Sequence, residues 1–198
     1  MAKKKESTLI NMVVALLVIT AVSGGVLGLV YGLTKDTIAQ VEIKKNQKAI
    51  QEVLPLEGEI EYKEQTINFE STDFPCNLAY DKQTKEFKGI AIKTSEGGFG
   101  GKIEIMVGIL ADGTITGTSV LSHSETPGLG ANMTGKFKDQ FVKKNPAEFK
   151  LAVTKDGGNV DAITAATITS RAFTKAVDKA YKMFEANKEQ FKKGGNAQ

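Results

Sequence analysis

The sequence predicts an α+β domain carried behind a single N-terminal transmembrane helix. Three observations predict it: an uncharged apolar run over residues 9–33, strand-like alternation from about Ile60 onward to Ser122, and an amphipathic helical stripe near the C-terminus.

Between Glu6 and Lys35 there is no Asp, Glu, Lys or Arg. As a helix, residues 9–33 would rise roughly 37 Å, more than the ~30 Å hydrocarbon core of a bilayer, so the run is expected to span with some tilt. A cleaved signal peptide is the competing reading, because Lys3, Lys4 and Lys5 resemble an n-region and Ala21-Val22-Ser23 a small-residue cleavage site. Val26, Leu27, Leu29, Val30, Tyr31 and Leu33 prolong the run beyond the roughly 7–15 residues of such a signal, which favours an uncleaved anchor. The three lysines precede the span and Lys35-Asp36 follows it, so residues 1–8 are expected in the cytoplasm and everything after the span outside it, at the inner (cytoplasmic) membrane. Gly24, Gly28 and Gly32 recur on one helix face, which is either a contact for another membrane helix or the ordinary glycine content of such helices.

Residues 34–55 read as a helical stalk. Ile38, Val41, Ile50, Val53 and Leu54 partly fit a helical stripe among charged residues, and Pro55 supplies a stop. A domain over residues 56–191 follows, with a flexible tail at 192–198.

Within the domain, Leu78 and Tyr80, then Phe87 and Ile92, then the alternation Ile103, Ile105, Val107, Ile109 read as strands of an antiparallel sheet. Asp112-Gly113 lies between that alternation and the strand from Ile115 to Leu121, which predicts a hairpin. Gly97, Gly98, Gly100 and Gly101 form a flexible loop; without a following Lys-Ser/Thr and helix they are not a phosphate-binding P-loop. Phe137 and Phe141 mark a short helical stretch ended near Pro146. Phe173, Ala176, Val177, Ala180, Tyr181 and Phe184 share one face of a last helix that should pack on the sheet.

Composition removes several function classes. Lys plus Arg number 26 and Asp plus Glu 23, and without Lys3, Lys4 and Lys5 the two signs balance, which argues against nucleic-acid binding. Cys76 and His123 are the only residues of their kinds, so an intrachain disulfide and a zinc site with several Cys/His ligands are excluded. Cys76 is expected to be a small buried residue.

Two segments could carry chemistry. Thr164, Thr167, Thr169 and Ser170 crowd residues 161–170, directly before the last helix, where hydroxyls ordinarily act as N-caps. A helix N-terminus also offers unpaired amides and a positive dipole end, so a phosphate on or beside Thr167 would be well placed. The other segment is His123-Ser124-Glu125-Thr126-Pro127-Gly128-Leu129-Gly130, in which Pro127-Gly128 suits a type II turn that exposes backbone to a ligand. Neighbours as close as His123, Ser124 and Glu125 do not adopt triad geometry, so a hydrolase is disfavoured and His123 is read as structural.

Residues 161–170 closely resemble the flavinylation motif shared by the G-type member of Rnf-type complexes and the C-type member of sodium-pumping NADH:quinone oxidoreductase. Glu125 to Gly130, Glu-Thr-Pro-Gly-Leu-Gly, resembles the other hallmark of that FMN-binding domain. The resemblance covers nearly the whole chain, with anchor, stalk, sheet, turn and motif in the same order. It implies FMN joined through its phosphate to Thr167, the last residue of Thr164-Ala165-Ala166-Thr167. It further implies that Thr126, Gly128 and Leu129 line the isoalloxazine, that Glu125 holds the turn, and that Asp161, Thr164 and Ala166 shape the attachment loop. Ala165 departs from the family, which commonly has glycine there; a positive φ at this point would make alanine costly.

The resemblance therefore implies an electron-carrier subunit that is not catalytic alone. It would work with other membrane subunits that couple electron transfer between ferredoxin and NAD to ion translocation, after maturation by a flavin transferase. Two alternatives stand beside it: the homologous subunit of the NADH:quinone pump, and a non-redox membrane-tethered binding module in which the threonines only cap a helix.

Overall fold

The computed structural model describes residues 8–194, so Lys3, Lys4 and Lys5 lie outside the described residues. The chain divides after Lys44 into two units.

In the first unit, the helix α1 (Leu9–Val53) begins at the apolar run, and Leu9, Leu17, Leu27 and Leu33 are all more than three-fifths exposed. Apolar surface on that scale needs a non-aqueous surrounding, and the helix is long and apolar enough to cross a membrane. Thr20 and Thr34 donate their hydroxyls to the carbonyls of Leu16 and Val30 at 2.9 and 2.8 Å, which satisfies these polar groups inside the helix itself, as lipid requires. A Cβ on Gly24, Gly28 or Gly32 would meet nothing within 4 Å.

In the second unit, α1 ends at Val53, ahead of Pro55, whose ring disfavours helical backbone in the residue before it. Ile38 and Val41 are exposed; only the end of the stripe, at Ala49, Val53 and Leu54, is buried.

Five strands follow in an antiparallel meander whose spatial order is the chain order: β1 (Ile60–Phe69), β2 (Thr72–Asp81), β3 (Phe87–Gly97), β4 (Lys102–Leu110) and β5 (Ile115–Ser122). This is the expected sheet. Asp112-Gly113 turns β4 into β5, with Gly113 at φ +96° and the Asp112 carboxylate accepting from the Thr114 N–H at 2.8 Å.

The alternation of side chains gives the sheet two buried faces. Ile90, Ile92, Ile103, Ile105, Val107 and Ile109 point to one side, where the last helix, α3 (Thr167–Gly194), packs Phe173, Ala176, Val177, Ala180 and Phe184 against them. Tyr181 is only partly buried, while Met183 is fully so. Thr94 donates to the Ala176 carbonyl at 3.0 Å and Tyr80 to the Phe191 carbonyl at 2.9 Å, which fixes α3 along its length. The helix runs to Gly194, into the segment expected to be a tail; residues 195–198 lie outside the described ones. One helical turn, α2 (Lys136–Asp139), brings Phe137 and Phe141 edge-on or tilted against Phe173 at ring separations of 5.4 Å.

Against the other face lies the end of α1, with Ala49, Val53 and Leu54 on Ala79, Ala91 and Met106. Gly108 is opposite Gly117 in the β4–β5 ladder, and a Cβ on Gly108 would sit 2.0 Å from the Val53 carbonyl oxygen; glycine is what allows this approach. Thr116 donates its hydroxyl to that same carbonyl, and Lys45 donates to the carbonyl of Leu121. Glu52 accepts from Ser119 at 2.9 Å and Lys138 at 2.6 Å. Burial pushes its carboxyl up, but these hydrogen bonds and the charges of Lys138 and Lys48 outweigh that and hold it below the usual carboxylate value.

Cys76 is fully buried and donates to the Gln65 carbonyl at 3.2 Å. Burial, helped by the nearby charge of Glu64, pushes its thiol up to about 12, which fits the expected inert role.

Candidate functional site

The turn after β5 has the predicted geometry. The Thr126 carbonyl accepts from the Leu129 N–H at 3.2 Å, and Gly128 at φ +77° occupies the third position of a type II turn. Glu125, just before it, is 5% exposed. One of its carboxyl oxygens accepts from the Gly100 N–H at 2.9 Å and the other from the Thr169 hydroxyl at 2.7 Å. Glu125 thus clamps three separate pieces of chain: the β3–β4 loop, its own turn, and the first turn of α3. The packing around it is close, since a Cβ on Gly98 or Gly130 would lie 2.2 or 2.4 Å from its oxygens. Satisfied donors on both oxygens are what make such burial tolerable.

His123 braces this turn, its Nδ1 accepting from the Glu125 N–H at 3.2 Å, in keeping with a structural role. The four-glycine loop is not loose: Gly98 N–H donates to the Gly101 carbonyl at 2.8 Å, and Glu125 fixes Gly100.

The segment before α3 is held from both ends. The Gln140 side-chain amide accepts from the Asp161 N–H at 2.8 Å and donates to the Asp161 carbonyl at 3.1 Å. Ser170 Oγ accepts from the Ile163 N–H at 2.9 Å and donates to the Ala166 carbonyl at 2.9 Å. Between these ties Ala165 sits at φ +60°, in the left-handed region that a glycine would occupy without strain.

The helix opens at Thr167, with the Ser170 N–H donating to the Ala166 carbonyl at 3.0 Å. Its cap position therefore falls on Ala166, which has no side-chain oxygen. The capping role expected of the threonines is not what they perform. Thr169 bonds Glu125 instead, and the Thr167 hydroxyl is half-buried with the Lys155 ammonium 3.3 Å away. The first-turn amides and the dipole of α3 are left to face an anion beside Thr167. Lys155 belongs to a short 3-10 turn that Asp156 ties to α3 through a two-pronged pair with Arg171 at 2.6 and 2.7 Å; those hydrogen bonds hold the Asp156 carboxyl below its usual range.

These elements enclose a cleft of about 400 Å³ lined by Phe99, Thr126, Leu129, Thr167 and Ile168, with Glu125 and Ala166 also on its wall. Thr126, Leu129, Glu125, Ala166 and Thr167 are thus brought together. Gly128 shapes the turn without lining the cleft, and Asp161 and Thr164 line a neighbouring groove of about 660 Å³ on the Gln140 side. Phe99, Ile168, Lys155 and Gln140 are the site's residues that sequence reasoning missed, and Thr169, read from sequence as a cap, serves instead as the Glu125 partner. The volume is in the range of cofactor pockets. Apolar walls suit a flat aromatic heterocycle, and a hydroxyl, an ammonium and a helix N-terminus suit an attached phosphate, so the residues present fit FMN.

Comparison with known proteins agrees. Residues 98–182 match the FMN-binding domain family. The chain is 34% identical to the G-type member of the Na(+)-translocating ferredoxin:NAD(+) oxidoreductase complex of Acetobacterium woodii, over 86% of this chain and 88% of that one. It is 35% identical to the G-type member of the ion-translocating oxidoreductase complex of Methanosarcina acetivorans, over 91% of this chain and 95% of that one. Among solved structures, the C-type member of the Na(+)-translocating NADH-quinone reductase from Parabacteroides distasonis shares the fold, with a TM-score of 0.55 and 20% identity over 81% of this chain and 96% of that one.

Proposed function

The chain belongs to the G-type family of ion-translocating oxidoreductase complexes, and we propose that it carries FMN as a phosphoester on the Thr167 hydroxyl. It is a membrane-anchored, FMN-binding redox component that works beside other subunits.

The observation that carries the reading is Thr167 itself, a half-buried hydroxyl at the N-terminus of α3 that borders the cleft and has Lys155 within 3.3 Å. Lys155 and the first-turn amides offset the negative charge of a phosphoester at that oxygen. Leu129 and Thr126 provide wall for the ring, Glu125 and Gly128 set the turn that presents them, and Asp161, Thr164 and Ala166 shape the loop in which the hydroxyl is offered. The bound flavin supplies reversible one- and two-electron chemistry, while the protein sets its position and exposure. In the proposed reading electrons pass between ferredoxin- and NAD-reactive subunits, residues 1–8 are cytoplasmic, the domain is extracytoplasmic, and a flavin transferase attaches the cofactor. A covalent tether suits an extracytoplasmic carrier, because a dissociated nucleotide would be lost there. The fold is shared with the C-type member of the NADH-quinone pump, but the 34–35% identities lie with G-type proteins, which favours the Rnf type.

Thr167→Val removes the hydroxyl and nearly keeps the shape. It is expected to fold as wild type and to show no flavin fluorescence in a denaturing gel; fluorescence persisting in that band would sink the assignment to Thr167.

A further inference from the structure

Phe99 stands at the tip of the β3–β4 loop and is 72% exposed, the most exposed of the large apolar side chains in the second unit. A lone exposed apolar residue needs no explanation, but Leu129 and Ile168, 43% and 51% exposed, border the same cleft from two other elements. Three uncovered apolar side chains from a loop, a turn and a helix therefore converge beside the Thr167 hydroxyl.

The loop that carries Phe99 is fixed rather than free. Gly98 and Gly101 close it by a hydrogen bond of 2.8 Å, and the Gly100 N–H is held by buried Glu125. A Cβ on Gly100 would fall 2.1 Å from the Ser124 carbonyl oxygen, so the loop backbone lies directly on the turn after β5. A backbone held this closely places an aromatic ring in one region of space without burying it. Glycines on both sides of Phe99 serve that contact, and the buried carboxyl that anchors them also anchors α3 through Thr169.

We infer that Phe99 is the aromatic wall of the flavin site, contacting the isoalloxazine of a cofactor tethered at Thr167, with Leu129 and Ile168 as its aliphatic complement. A planar heterocycle gains by offset or edge contact with an aromatic side chain, and that contact biases the tethered ring toward the cleft and away from water by roughly three- to tenfold. Phe99 is a positioning residue, and the β3–β4 loop is the element that sets how much of the flavin a partner protein meets. The inference rests on the flavin being attached at Thr167.

The chain has no tryptophan, and none of its tyrosines lines the cleft, so one introduced indole is a specific reporter. Indole in van der Waals contact with isoalloxazine quenches its fluorescence by electron transfer, whereas phenylalanine does not. In flavinylated protein from membranes, Phe99→Trp is expected to lower the flavin emission at least roughly threefold. Tyr62→Trp, on edge strand β1 away from the cleft, is expected to leave it unchanged. Phe99→Ala is expected to raise the iodide quenching constant roughly threefold, with Phe99→Leu between it and wild type. Flavin content is read by mass in each sample. Flavinylated Phe99→Trp and Phe99→Ala that both behave as wild type would overturn this inference alone and leave Phe99 facing something other than the cofactor. Wild-type protein without flavin on Thr167 would overturn it together with the reading on which it rests.

Discussion

Thr169 donates its hydroxyl to the buried carboxyl of Glu125 at 2.7 Å, joining the first turn of α3 to the turn after β5 across 44 residues of chain. The opposite carboxyl oxygen takes the Gly100 N–H, so both walls of the cleft are registered on one side chain.

Glu125→Ala leaves the buried Thr169 hydroxyl without its acceptor and frees the Gly100 N–H from the loop anchor, and is expected to cost about 1–3 kcal/mol in unfolding free energy. Glu125→Gln should cost distinctly less, because its amide oxygen still accepts from Gly100 and the Thr169 hydroxyl can turn to accept from its NH₂. Urea titrations of the two variants check this, and equal losses would contradict the clamp.

Ala165 at φ +60° carries the strain of a non-glycine residue in left-handed backbone, about 1–2 kcal/mol. Ala165→Gly regains this less the entropy glycine adds to the unfolded chain, a net stabilisation of roughly 0.5–1 kcal/mol by denaturant titration. Its flavin content should equal or exceed wild type. Ala165→Val, β-branched at a positive φ, should lose stability and flavin together.

Glu52 couples the end of α1 to the sheet, and its carboxyl is held below the ordinary value of 4.5 by Lys138 and Ser119 against the opposing effect of burial. A carboxyl lowered in the folded state contributes stability that is fully present above its unfolded value and is lost as pH falls through its folded one. The stability gap between wild type and Glu52→Gln should therefore be flat near neutrality and close as pH falls below 4.5. A gap that widens on acidification would contradict the sign.

Much of this architecture was legible because it follows local patterns. The charge-free run, the alternation at Ile103, Ile105, Val107 and Ile109, the Asp112-Gly113 hairpin and the Pro127-Gly128 turn each depend on neighbours in sequence. The second buried face was not legible, because Ala49, Ala79, Ala91, Gly108 and Gly117 are small, and small residues leave no hydrophobic period to read. The role of Thr169 and the place of Phe99 escaped for another reason. A threonine before a helix reads as a cap, and an aromatic between glycines reads as loop, until the fold brings Glu125 between them. Lys155 and Gln140 likewise act on a segment 12 and 21 residues away, over distances that no motif spans.

The central claim is the phosphoester on Thr167, and its most direct test is the mass of the tryptic peptide over residues 156–171 from protein purified out of its native membrane, alongside the intact mass. The account predicts an FMN adduct on that peptide, localised by fragmentation to Thr167. An unmodified peptide from redox-active membranes, or an adduct on Thr164 or Thr169, would contradict it.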